Sequence, residues 1–393
     1  MPSRSRMPQH QSKRAHVTYQ QPSRLVRVLL RGLVALLLLL SPLVRACFAQ
    51  CVISARHPAQ DIFFLGRSDG WILYADGSTQ YVARTHDGGQ TWTSLPNQPP
   101  LTKFYFLTRR LGWAIGVNST GRKDSPSYTL PLFFTQDGGE HWSGLPAKGF
   151  PAEQPMVVSG ILFVDRSHGW LVGEKEYGLS FVYETFNGGL TFHYISALSD
   201  QNGTARGISW DRNSRIWVYG NDSLFVSSNR GKSWVRTLRS GALPGGYNHL
   251  VFMTGWLSSN SAGVIGAQGV GGVILSTDNG GKNWDLRLET KDAVYFTSAS
   301  FWNNRHGCVV GSSNFLFCTK DGGRSLSGRD VLPRPRVVAH EGCSPSDMNV
   351  FTKLIMSESG KGWLLGDDGR LYQTEDGGQS WRVLDPVAEF RRP

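Results

Sequence analysis

Acidic residues are missing from the first sixty positions: no Asp or Glu occurs before Asp61, although the 393-residue chain holds 30 of them. Residues 1–45 carry eight of the 41 lysines and arginines, so the formal net charge of +11 falls to +3 once that stretch is set aside. A body so nearly balanced gives no basis for phosphate-backbone binding, and no nucleic-acid partner is expected. Charged residues are scarce overall, at 18%, which excludes a disordered polyampholyte. Past residue 50 there is no long apolar run and no sustained helical period, so neither a polytopic membrane protein nor a helical bundle is expected. No histidine pair has zinc-ligand spacing and no serine-centred nucleophile elbow is present, so neither a metal nor a cofactor is expected. What the chain does have is 46 glycines and 13 tryptophans, the composition of many tight turns backed by aromatics.

The acid-free leader is basic through residue 31 and then apolar from Gly32 to Val44, with small residues at Ala46 and Ala49. That is the order of a secretory signal. Residues 1–50 are therefore expected to be a signal peptide or membrane anchor. Residues 25–44 are long enough to associate with a membrane, although Arg27 and Arg31 would burden a span. Cys47, after Val-Arg-Ala, makes a poor lipoprotein cleavage site because Arg45 is not small. The expected location is exported: periplasm, thylakoid lumen or cell surface.

One octet recurs seven times: THDGGQTW (85–92), TQDGGEHW (135–142), TFNGGLTF (185–192), SSNRGKSW (227–234), TDNGGKNW (277–284), TKDGGRSL (319–326) and TEDGGQSW (374–381). The starts lie 42 to 55 residues apart, the length of a four-stranded propeller module. The third residue (Asp87, Asp137, Asn187, Asn229, Asn279, Asp321, Asp376) can accept backbone N–H bonds across a turn. The fifth is always glycine, which tolerates positive φ, and the last is usually an aromatic that buries a large surface. These are devices for stiffening a hairpin, and the seven third-position residues are read as structural.

A second element precedes each octet, clearest in FFLGRSDGW (63–71), FYFLTRRLGW (104–113), ILFVDRSHGW (161–170) and LIMSESGKGW (354–363). Each module then reads as strand, turn, strand, hairpin, strand, octet, strand. The expectation is an all-β, seven-bladed β-propeller over residues 51–393, with blades near 61–102, 103–155, 156–203, 204–247, 248–295, 296–345 and 346–390.

The octets resemble the Asp-box, or bacterial neuraminidase repeat. The fuller module, aromatic-x-Asp-x-x-x-Gly-Trp followed by Thr-x-Asp-Gly-Gly-x-x-Trp, resembles the photosystem II assembly and stability factor family over residues 61–385. That resemblance implies a non-catalytic scaffold that binds partner proteins, including a membrane-protein assembly intermediate, and acts as a monomer. Sialidases and xyloglucan-active glycosidases share the box, so a secreted glycan-binding or glycan-cleaving propeller is the alternative. Against it, no Arg-Ile-Pro segment precedes the first octet, and one propeller provides no cleft between two.

The candidate partner contacts form a basic arc. Three residues before the Gly of Gly-Trp stand Arg67, Arg109 and Arg166, and Arg212 keeps that offset if Arg215 stands for the Gly in module four. Modules six and seven carry Asn304 and Ser359 instead. Arginine offers a permanent charge and bidentate geometry to an acidic surface.

Five cysteines leave one odd in an exported protein. Cys308 and Cys318 flank a hairpin at equal distance and are candidates for a cross-strand disulfide. Cys51 and Cys343 precede the first and last modules and are candidates for a bond stapling ring closure, with Cys47 lost or lipidated.

Overall fold

Glycine-bearing turns divide the chain into strands of two to eight residues, the inner ones such as Gly112–Gly116, Gly307–Gly311 and Gly362–Gly366 buried throughout, and every strand pairs antiparallel with its sequence neighbour. The computed structural model describes residues 59–384 apart from 77–78, 117–129, 151–155, 176–179, 196–197, 199–204, 212–213, 221–222, 240–250, 254–261, 269–270, 291–295, 304, 313 and 332–349. The expected signal or anchor, with Cys47, Cys51, Cys343 and Arg212, lies outside the described residues.

The described residues form seven four-stranded sheets, spanning 59–95, 101–145, 156–194, 205–239, 251–289, 296–330 and 351–384; they are numbered one to seven below. The architecture is an all-β propeller. Each sheet is a plain meander: in sheet one β1 (Ala59–Leu65), β2 (Asp69–Asp76), β3 (Thr79–Thr85) and β4 (Thr93–Leu95) lie side by side in chain order. The first strands of consecutive sheets meet in turn, and the first strand of sheet seven meets that of sheet one.

All seven octets fold alike. The Thr or Ser hydroxyl donates to the third residue at 2.8–3.0 Å. The same hydroxyl accepts the N–H of the fifth-position glycine at 2.8–3.0 Å. The third residue's side chain accepts the N–H of the seventh at 2.9–3.0 Å. Fifth-position glycines have φ between 82° and 99°, where a side chain would be strained.

The Gly-Trp pair owes its form to a contact between sheets. Trp363 of sheet seven stacks on Phe64 of sheet one at 3.6 Å, Trp71 on Phe106 of sheet two at 3.7 Å, and Trp113 on Phe163 of sheet three at 3.7 Å. Each Phe in turn lies over its own sheet's glycine. A Cβ on Gly70 would stand 2.2 Å from the Phe64 ring, and one on Gly169 2.4 Å from Phe163. Glycine at that place therefore lets the ring lie flat enough to be stacked from the neighbouring sheet.

Cys308 and Cys318 are paired strand to strand, and their sulfurs are joined in a disulfide with the Cα atoms 4.1 Å apart. They occupy the places that Trp363 and Gln373 hold in sheet seven.

Candidate functional site: the octet face and its basic arc

The turn joining the first two strands and the octet of the same sheet stand on one face, because they are bonded to each other. Gly88 N–H donates to Ser68 O at 2.7 Å, Gly138 to Arg110 O at 2.9 Å, Gly188 to Ser167 O at 2.8 Å and Gly377 to Gly360 O at 2.9 Å. Arg67, Arg109 and Arg166 all lie on such turns and all are exposed. They come from sheets one, two and three and so follow one another along this face.

The fourth member of the arc shifts by one residue. In sheets one and three, Gly70 pairs with Phe64 and Thr85, and Gly169 with Phe163 and Thr185. In sheet four the residue opposite Trp210 and Ser227 is Ile216, so Ile216, not Arg215, takes the glycine's place. The offset then falls on residue 213 instead of Arg212. Arg215 is itself buried, with Nε 2.6 Å from Asp211 Oδ2.

Asp69, which sequence reading did not single out, organises the arc. Its buried carboxylate receives Arg109 Nε at 2.8 Å from sheet two, and His86 Nδ1 lies 2.8 Å from its other oxygen. Arg110 Nε donates to Gln136 O at 3.2 Å, and Arg166 Nη2 to Gln136 Oε1 at 3.4 Å. Below them Arg84 of sheet one reaches the octet of sheet two, donating to Asp137 O at 3.1 Å and pairing with Glu140 at 2.9 Å. Arg84, Arg109 and Arg166 are thus anchored across the seams between sheets, and Arg110 within its own sheet.

Indole N–H groups reinforce those seams. Trp71 donates to Gly138 O at 2.8 Å, Trp113 to Gly188 O at 2.9 Å and Trp363 to Gly88 O at 3.0 Å. At the seam between sheets seven and one, Lys361 Nζ donates to Asp87 O at 3.3 Å, Gln373 donates to Gly88 O, and Lys353 Nζ lies 2.5 Å from Asp61 Oδ1. Backbone joins the same two sheets, as Ala59 N–H donates to Gly369 O at 3.0 Å, although each sheet is made wholly of consecutive strands.

The octet carboxylates are held as anions. Asp87, Asp137, Asp321 and Asp376 each sit at about 2, down from 3.8. Burial pushes each carboxyl up, and the hydrogen bonds aimed at its oxygens push harder the other way. Every one of those bonds comes from the carboxylate's own turn, which suits a structural brace. Among the described residues no group of three or more His, Cys, Asp or Glu is arranged to hold a metal ion.

Comparison with known proteins gives a consistent picture. The chain is 24% identical over 281 residues to a curated protein described as photosystem II assembly lipoprotein Ycf48 of Synechococcus sp. (strain CC9902), covering 63% of this chain and 80% of that one. Two solved structures share the fold: YCF48 from Cyanidioschyzon merolae, with a TM-score of 0.55 at 16% identity over 82% of this chain and 97% of that one, and YCF48 bound to D1 peptide, with a TM-score of 0.54 at 17% identity over 81% and 94%. A xyloglucanase from Xanthomonas campestris also shares it, with a TM-score of 0.52 at 15% identity, but this chain covers only 45% of that enzyme. A family profile described as photosynthesis system II assembly factor YCF48 matches residues 148–294 and 285–389, more than half the chain, and the protein belongs to that family of non-catalytic assembly factors.

Proposed function

We propose that the seven sheets are the blades of one closed ring, and that the ring binds a segment of a photosystem II protein on the face carrying its octets. The observation that carries this reading is the basic arc. Arg67, Arg109, Arg110 and Arg166 are exposed on one face of three successive sheets, and Asp69 and Gln136 hold three of them in place. Pre-positioned guanidinium groups bind carboxylates with less ordering cost than mobile lysines do. Arg212, one residue before the corrected offset in the sequence, is kept only as a further candidate contact. A related structure is of YCF48 bound to D1 peptide, so a peptide of that kind is the first partner to test. Acting on an assembly intermediate requires export and proximity to a membrane. The leader supports both, as signal, as anchor through residues 25–44, or as lipid carrier at Cys47. The chain works as a monomer.

The test is a titration of a D1 peptide against the full chain at low and at high salt. Arg67→Gln, Arg109→Gln and Arg166→Gln together are expected to weaken binding about tenfold or more at low salt and to flatten its salt dependence. Equal affinity of the triple variant and the native chain at low salt would overturn the arc as the binding surface.

A further inference from the structure

The seven octets serve as an internal alignment, and one of them departs from the rest. In TFNGGLTF the second and sixth residues are Phe186 and Leu190. Every other octet has a polar or charged residue at both places, from His86 and Gln90 in the first to Glu375 and Gln379 in the last. Folding does not ask for apolar residues there, since the turn has the same hydrogen bonds in all seven. Nor does the core recruit them: Phe186 is 59% and Leu190 44% exposed. A single exposed apolar side chain is ordinary, but two at sites that are otherwise always polar are not.

The pair stands on a rigid base. The Phe186 ring lies over His168 at 4.7 Å and 26°. His168 is fixed from below, with Nε2 2.8 Å from Glu184 Oε1 and its ring 4.2 Å from that of Trp170. The outer side of the octet is clasped by the incoming chain, as Lys148 N–H donates to Leu190 O at 3.0 Å and Phe192 N–H to Lys148 O at 2.8 Å. The neighbouring turn, bonded to this octet through Gly188 and Ser167, carries exposed Arg166.

We propose that sheet three is where the basic arc ends in an apolar foothold, and that its occupant is an extended acidic peptide bearing an aliphatic or aromatic side chain beside its carboxylates. The carboxylates lie along Arg109, Arg110 and Arg166, and the apolar side chain packs on Phe186 and Leu190. This deepens the reading above and rests on it: the arc supplies attraction, and the foothold supplies register and selectivity. An arc of guanidinium groups alone would accept an acidic strand in either direction and at many offsets. An apolar contact at one end fixes both. Two side chains are too small an area to hold a membrane surface, whereas they match one side chain of a bound strand.

The experiment uses two sets of labelled ten-residue synthetic peptides, measured by fluorescence anisotropy against the full chain at low salt. One set contains glutamate and glycine only; the other has the same glutamates with a leucine or phenylalanine stepped through the glycine positions. The native chain is expected to bind the best apolar-bearing peptide about tenfold tighter than its glycine parent, the scale of burying one such side chain. The double variant Phe186→Ser with Leu190→Lys, which installs the residues of the fourth octet, is expected to bind both sets equally while keeping the native melting temperature. Arg166→Gln is expected to weaken both sets alike. If the acidic parents bind but no apolar position improves them, the foothold is refuted and the basic arc stands. If neither set binds, both readings fall. Retention of the apolar preference by the double variant would also overturn the proposal, as would loss of vesicle binding (phosphatidylcholine only) in that variant, which would assign the foothold to lipid.

Discussion

The arc of sheets seven, one and two differs from the arc of sheets three, four and five in how each sheet holds the next, although the octet turns are the same in both. In the first arc each seam has a Trp stacked on the next sheet's Phe and an indole N–H bonded to the next octet. In the second the device comes apart. Trp170 keeps its place, but its indole N–H has no partner, and the residue in the glycine's position of the next octet is Arg230 at φ 56°. Trp217 turns its N–H to Asp211 within its own sheet, and sheet five has Gly263 where the Trp would stand. The octets differ too, with Asp at the third place in sheets one, two, six and seven and Asn in three, four and five. A shared turn makes each sheet; seam chemistry joins one sheet to the next, and the stack and the indole bond occur together at the seams beneath the arginines proposed to bind.

The sharpest way to break the comparison is at the closure seam. Trp363→Ala removes a fully buried indole, its stack on Phe64 and its bond to Gly88 O, and is expected to cost about 3–5 kcal/mol of unfolding free energy in urea. Replacing Cys308 and Cys318 together by Ala comes next, at roughly 2–3 kcal/mol from the short loop the bond closes, with further loss of packing toward the octet of sheet seven. A Cys pair variant as stable as the native chain under oxidising conditions would show that the disulfide adds nothing to sheet six or to its seam with sheet seven.

A finer contrast uses Trp→Phe, which keeps a ring and deletes the N–H. At Trp113 the change leaves Gly188 O without its donor and is expected to cost about 1–3 kcal/mol. At Trp170 it removes a buried N–H that has no partner, so the cost is expected to be smaller and confined to lost packing. Equal losses at the two positions would mean that the indole bonds do not distinguish the arcs.

These differences mark what the sequence made legible. The octets were readable because every group they use lies within eight residues, so spacing alone identifies the turn. The seams were not, because Trp71 and its acceptor Gly138 lie in different modules and no local pattern joins them. Module four was misaligned by one residue for a related reason: Ile216 replaces the glycine that anchors the motif, and only pairing with Trp210 and Ser227 restores the register. Arg67, Arg109 and Arg166 were visible as an arc, whereas Asp69 was not, since nothing nearby in the chain indicates that a buried carboxylate in sheet one holds an arginine of sheet two. The apolar pair in the third octet was present in the aligned repeats, but its meaning depended on exposure.

The second arc can also be repaired. Arg230→Gly removes a side chain from left-handed backbone, where a non-glycine residue costs about 1–2 kcal/mol, partly offset by the greater freedom of glycine in the unfolded chain. A net gain of about 0.5–1 kcal/mol is expected in urea unfolding. If Trp170 then donates to the carbonyl of residue 230, as Trp71 donates to Gly138 O, its indole proton should exchange as slowly as those expected for Trp71 and Trp113.

The smallest effect is the one that separates the two kinds of octet by pH. Asp87, Asp137, Asp321 and Asp376 have folded-state values near 2 against an ordinary 3.8. Because the folded values lie lower, the stabilisation is complete above the unfolded value and is lost as pH falls from about 4 through about 2. Asp376 is exposed and Asp87, Asp137 and Asp321 are half-buried, so solvent screening keeps each contribution modest. Asparagine cannot titrate, and it already serves the same turn: Asn187 and Asn229 accept the same backbone N–H and donate Nδ2 to Thr191 and Ser233 at 2.8 Å. Converting all four Asp residues to Asn should therefore leave a folded chain whose melting temperature falls less between pH 4 and pH 2 than that of the native protein. The converse variant, Asn187→Asp with Asn229→Asp and Asn279→Asp, should make the fall steeper. Identical acid limbs for the three proteins would show that the octet carboxylates contribute through shape alone, and that the Asp and Asn arcs differ only in their seams.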